Sequence, residues 1–90
     1  MKTTYRINLF KPTPILFEKP MIVKDSDGWE REIDEAIFRE VNKSGKTARF
    51  LLRSNGINMI IKNYKISYVS GIMFVKLNGT DYRIGTFEEV

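Results

Sequence analysis

Ninety residues with a net charge of +4, no cysteine and no histidine set firm bounds on this chain. The length suits one hydrophobic core and leaves no room for a second. Disulfide scaffolds, zinc ribbons, thiol catalysis, imidazole acid–base chemistry and Ser-His triads are all excluded.

The lack of cysteine suits a reducing cytoplasm. No apolar run approaches the roughly 18 residues of a membrane span, and Met1-Lys2 leads into a strand-like pattern and not a signal peptide. The expectation is one cytoplasmic domain, residues 1–90, with no membrane contact. The charge is segregated. Lys2, Arg6, Lys11, Lys19 and Lys24 stand against Glu18 in the first 24 residues, whereas seven acids stand against Arg31 and Arg39 in residues 25–42. Beyond Asn42 the chain turns basic again. Two basic blocks around an acidic one predict a dipolar molecule, with a positive sheet and a negative opposite side.

In chain order, Thr4–Phe10 alternates as a strand, with Tyr5, Ile7 and Leu9 on one side and Arg6 and Asn8 on the other. It is expected to pair with a sheet edge. Pro12, Pro14 and Pro20 restrict Ile15–Phe17 and Met21–Val23 to short or edge strands, and Pro12-Thr13-Pro14 reads as a turn. Asp25-Ser26-Asp27-Gly28 is a second turn. Beyond it, the spacing Trp29, Ile33, Ala36/Ile37, Val41 fits one face of a helix. Asp34 or Asp27 would cap its start, and Lys43 and Gly45 would end it. A helix over Asp34–Lys43 is therefore predicted, packing Ile33, Ile37 and Val41 inward, with Trp29 as a core anchor. A hairpin Met21–Lys24 / Trp29–Ile33 is the competing reading.

From Thr47 to Phe87 the dipeptides Asn55-Gly56, Ser70-Gly71 and Asn78-Gly79 separate apolar, β-branched and aromatic runs, the signature of tight hairpins. Residues flanking a two-residue turn share a face, so facing can be carried from strand to strand. Starting from Ala48, Phe50 and Leu52 inward, the first turn puts Ile57, Met59 and Ile61 inward. Working back from Tyr82 and Ile84, the other two turns put Met73, Val75, Leu77, Tyr68 and Ile66 inward. The two halves disagree by one residue within the strand Ile57–Val69. A β-bulge near Lys62-Asn63-Tyr64 would repair this and let the strand's two halves pair with different neighbours. The fold expected is α+β: a curled antiparallel meander of four C-terminal strands plus the N-terminal strand, shaped like a small SH3-like or OB-like barrel, with one short acidic helix.

This register places Arg49, Arg53, Lys62, Lys65, Lys76 and Arg83 on one outward face, with Leu51, Ile60, Phe74 and Phe87 interleaved and Tyr64 beside the bulge. Asp81 is the single acid in that span. A face needed for solubility alone would mix both signs. Cations paired with phosphates and rings stacked on bases are how sheet faces hold single strands. Other motifs carry less. Ser44-Gly45-Lys46-Thr47 ends like a P-loop, but Glu40 occupies the position of its first glycine and the element order is reversed. Asp25-Ser26-Asp27-Gly28 echoes an EF-hand loop without the remaining ligands. The carboxylates of residues 30–40 would need an enclosed site to do chemistry, and a domain this size has little volume for one.

The expected function is a small non-enzymatic, cofactor-free nucleic-acid-binding module preferring single strands. Arg49, Arg53, Lys62, Lys65, Lys76 and Arg83 would meet phosphates, and Tyr64 and Phe74 would stack on bases. The alternative is a protein-interaction module or stoichiometric inhibitor, acting on a larger protein through Glu30, Glu32, Asp34 and Glu35 in the acidic segment 25–40, or through a sheet edge. Edge-to-edge self-assembly is a third reading.

Overall fold

The computed structural model describes residues 5–11 and 13–89, which hold no helix. The strands are β1 (Tyr5–Leu9), β2 (Ile15–Lys24), β3 (Glu30–Val41), β4 (Thr47–Ser54), β5 (Ile57–Val69), β6 (Ile72–Leu77) and β7 (Thr80–Glu89). They form one antiparallel sheet in the order β1-β7-β6-β5-β4-β3-β2. Thr4 and Pro12, which bound two of the expected elements, lie outside the described residues.

The three tight turns form as their sequences dictate. Both central residues take positive φ in each: Asn55 and Gly56 (50° and 77°), Ser70 and Gly71 (50° and 79°), Asn78 and Gly79 (51° and 81°). That geometry matches the strand twist and is the one Asn and Gly tolerate best. β1 joins the edge of this meander on β7, pairing Tyr5 with Glu89 and Leu9 with Gly85. β5 is the corner of the fold. Its first part, Ile57–Lys65, pairs with β4, and Ile66–Val69 pairs with β6. The sheet curls into a half-barrel, so that β2 comes across toward β6 and β7. Phe17 meets Tyr82 edge-on at 6.4 Å, and Asn78 Nδ2 donates to the Lys19 carbonyl at 2.8 Å.

The concave face is the core. Ile33, Ala36, Ala48, Phe50, Leu52 and Met73 are fully excluded from water, and Val75, Leu77, Ile84 and Ile66 nearly so. Phe50 stands at its centre, edge-on to Phe38 at 5.5 Å and to Tyr64 at 5.9 Å.

The predicted helix does not exist: residues 34–41 belong to β3, and the fold is all-β where α+β was expected. The reason is specific. The inward residues of β3 are Ile33, Ala36, Phe38 and Val41. Their register with β2 breaks beside Asp34, and Arg39 is an extra residue against β4. Two interruptions of a period-2 pattern stretch the spacing toward a helical one. Met21 opposite Ile33 and Lys24 opposite Glu30 make the competing hairpin the real one. Trp29 follows its turn and is 69% exposed, so it anchors no core. Residues 15–24 form one strand where two short ones were expected, with Pro20 inside it near the sheet edge.

Candidate functional site

The extra residue of β5 is Met59, not one of Lys62-Asn63-Tyr64, because Leu52 pairs with Ile60 while Arg53 pairs with Asn58. Moving the bulge toward the turn changes which residues of β5 reach the core. Ile57, Met59 and Ile61, expected inward, are exposed at 63%, 38% and 58%. Ile60, Lys62 and Tyr64, expected outward, take the concave side opposite Leu52, Phe50 and Ala48. A second bulge at Ile84 does the same to Phe87, which packs inward edge-on to Tyr5 at 5.5 Å and Tyr68 at 5.0 Å. Lys62 and Tyr64 therefore leave the expected nucleic-acid face. Burial raises the Tyr64 phenol above its ordinary pKa of 10.0.

The remaining cations share the convex face, but they fall into two groups. Arg49 NH1 lies 2.8 Å from Glu40 Oε1, and Arg53 NH1 lies 3.1 Å from Glu35 Oε1. Arg53 also donates to the Gly56 carbonyl, which ties it to the β4–β5 turn. Both arginines are neutralised within the protein. Lys65, Lys76 and Arg83 form no ion pair among the described residues.

Those three sit on the convex side of β5, β6 and β7 as a small grid. Arg83 is directly opposite Phe74, and Phe74 is directly opposite Ser67. The β5–β6 register ends at the pair Ile66–Val75; Lys65 and Lys76 are the next residue on each strand, and Asp81 of β7 stands directly opposite Lys76. Lys65, Ser67, Val69, Phe74, Lys76 and Asp81 line an open groove of about 560 Å³. Like charges that face one groove repel, and Asp81, directly opposite Lys76, offsets part of that repulsion. Ser67 was missed in the sequence reading. Its place two residues after Lys65 on one strand puts it on the same face.

The acidic residues are also divided. Glu30 and Glu32 are exposed on β3, opposite Lys24 and Ile22. Asp34 accepts the Asn55 amide at 3.2 Å, and Glu35 holds Arg53, so both serve the fold. The acids do not occupy the side opposite the cations. Glu35 and Glu40 lie beside Arg53 and Arg49 on the convex face, and the charge separation runs along the sheet instead of through it. The turn at Asp25 is self-contained: its carboxylate accepts the amides of Asp27 at 2.9 Å and Trp29 at 3.0 Å and the Arg31 Nε at 2.9 Å.

A second cleft, of about 370 Å³, lies at the seam of the half-barrel among Phe10, Ile15, Phe38, Tyr82 and Ile84. Among the described residues no group of three acidic side chains could hold a metal ion, and no helix is long and apolar enough to cross a membrane. No protein-family model, curated protein or solved structure matches the chain.

Proposed function

We propose that the chain binds single-stranded nucleic acid across the convex face of β5, β6 and β7. The observation that carries this reading is the set Lys65, Lys76 and Arg83, in no ion pair among the described residues, around the half-buried ring of Phe74. Phosphates would sit at the three cations, the Ser67 hydroxyl would donate to a phosphate or sugar oxygen, and one base would stack on Phe74. A single strand suits the site better than a duplex, because a half-buried ring on a sheet can stack only on a base that is free of its own neighbours. Arg49 and Arg53 fall out of the binding set because each already has a carboxylate. The acidic alternative has less behind it, since two of its four residues are engaged inside the fold.

Fluorescence anisotropy with a labelled single strand of about twelve nucleotides, read across a salt series, tests the reading. Each phosphate contact adds about 0.7 to the log–log salt slope for a single strand, so replacing Lys65, Lys76 and Arg83 with Gln should flatten the slope by about 2. Phe74→Ala should weaken binding by about 1–3 kcal/mol. Arg49→Gln should change little. Affinity that stays flat as salt rises, or an equal loss at Arg49, would defeat the proposal.

A further inference from the structure

The two edges of the sheet are built differently. β2 is blunted: Pro20 lies within it, Glu18 and Lys19 put charges beside that proline, and residues 17–20 of β2 stand against Asp34 alone on β3. Prolines, charges and irregular register are the devices that keep an edge from pairing with another chain. β1 has no proline and no bulge, and it runs in unbroken register along β7.

The hydrogen-bond phase of β1 can be read from Phe10, whose amide donates to the Ile84 carbonyl at 3.0 Å, one step beyond the pair Leu9–Gly85. Antiparallel ladders alternate bonded and non-bonded pairs. Arg6, Asn8 and Phe10 therefore direct their backbone groups at β7, while Tyr5, Ile7 and Leu9 direct theirs at the open edge. The same three residues carry the apolar side chains, which are 50%, 38% and 46% exposed. Among the described residues no strand covers this edge.

We propose that β1 pairs with β1 of a second copy of the chain, antiparallel and centred on Ile7. In that register Ile7 meets Ile7 of the second copy, and Tyr5 meets Leu9. Each N–H and C=O that β1 turns outward then finds a partner. Centring on Arg6 or Asn8 would leave one of the three outward residues unmatched, and Arg6 would also set two guanidinium groups face to face. With Ile7 at the centre, Arg6 lies opposite Asn8 of the second copy. Its charge is already balanced by Glu88 at 3.1 Å, so no like charges meet. The apolar stripes of the two strands become continuous on the concave side. The contact is a closed two-fold one, and because β2 is blunted the joined sheet ends there and grows no further. The groove at Phe74 lies on the convex side and stays free, so the dimer does not depend on what that groove binds.

Sedimentation equilibrium and light scattering of the full chain test this from micromolar to millimolar concentration. The wild-type chain should reach twice its own mass. Ile7→Pro removes only an amide that points outward and spares the β1–β7 bonds, and Ile7→Lys sets two charges face to face; both should stay monomeric. If Ile7→Pro fails to fold by circular dichroism, Ile7→Lys and a pair of cysteine variants carry the test. The sequence holds no cysteine. Paired residues at a bonded position have Cα atoms about 5.5 Å apart, within disulfide reach. Mild oxidation of Ile7→Cys should thus give a covalent dimer, and Asn8→Cys, facing Arg6 of the second copy, should not. A wild-type chain that stays monomeric throughout would overturn the proposal and leave the edge to a strand of another protein. So would a dimer that survives both Ile7 replacements, or cross-linking through Asn8→Cys as readily as through Ile7→Cys.

Discussion

The convex face carries arginines on β4 and lysines and one arginine on β5–β7, and the two regions spend their charge in opposite ways. On β4 each guanidinium is matched by a glutamate one strand away, within 2.8–3.1 Å. On β5–β7 Lys65 and Lys76 line one groove and form no ion pair among the described residues, although Asp81 stands opposite Lys76. The first arrangement holds strands together. The second leaves positive charge outside any ion pair, and on the reading proposed above that charge is what an incoming phosphate would meet.

The largest test of this contrast removes the support of one region and spares the other. Gly85 sits where β1 crosses closest to β7, and a Cβ there would come within 2.5 Å of the Asn8 carbonyl oxygen. Gly85→Ala should cost about 1–3 kcal/mol, because backbone must move to make room. Hydrogen exchange should show lost protection in β1 and β7, with β3 and β4 unchanged.

A smaller and sharper test compares single charges. Arg53→Ala removes an ion pair to Glu35 and the bond to the Gly56 carbonyl, and should destabilise by about 1 kcal/mol in chemical denaturation. Lys65→Gln relieves repulsion with Lys76 and should stabilise the free protein by about 0.3 kcal/mol. Opposite signs are expected from two mutations that each remove one positive charge.

The smallest effect is alkaline. Burial raises the Tyr64 phenol, and burial together with the neighbouring Tyr5 raises that of Tyr68. The folded chain therefore keeps these protons at a pH where the unfolded chain has lost them. The stability they contribute is complete below pH 10 and drains away as pH rises through the raised values. Tyr64→Phe and Tyr68→Phe should each flatten the fall in melting temperature above pH 10.

Bulges decided how much of this was legible. The three turns could be read because Asn-Gly and Ser-Gly carry the positive φ in their chemistry, and the inward facing of Met73, Val75, Leu77, Tyr82 and Ile84 followed from them. That one extra residue must lie in β5 followed from parity. Its position did not, because parity is satisfied equally at Met59 and at Lys62, and the choice moved Lys62 and Tyr64 to the other face. On β3 the irregularity beside Asp34 and the extra Arg39 turned strand spacing into an apparent helix. Of the expected phosphate and base contacts, Lys65, Phe74, Lys76 and Arg83 come together. Arg49 and Arg53 were lost to glutamates on a strand that had been read as helical.

β1 and β7 lie side by side, yet Arg6 and Glu88 stand 82 positions apart in the chain. On the ribosome β1 is made before β7 and cannot take its place beside it until β7 emerges. Closing so long a loop is entropically the slowest contact of the fold to recover. The meander closes around its tight turns before β1 can join it, so that Tyr5, Ile7 and Leu9 of a nascent chain stay uncovered at least until β7 has been made.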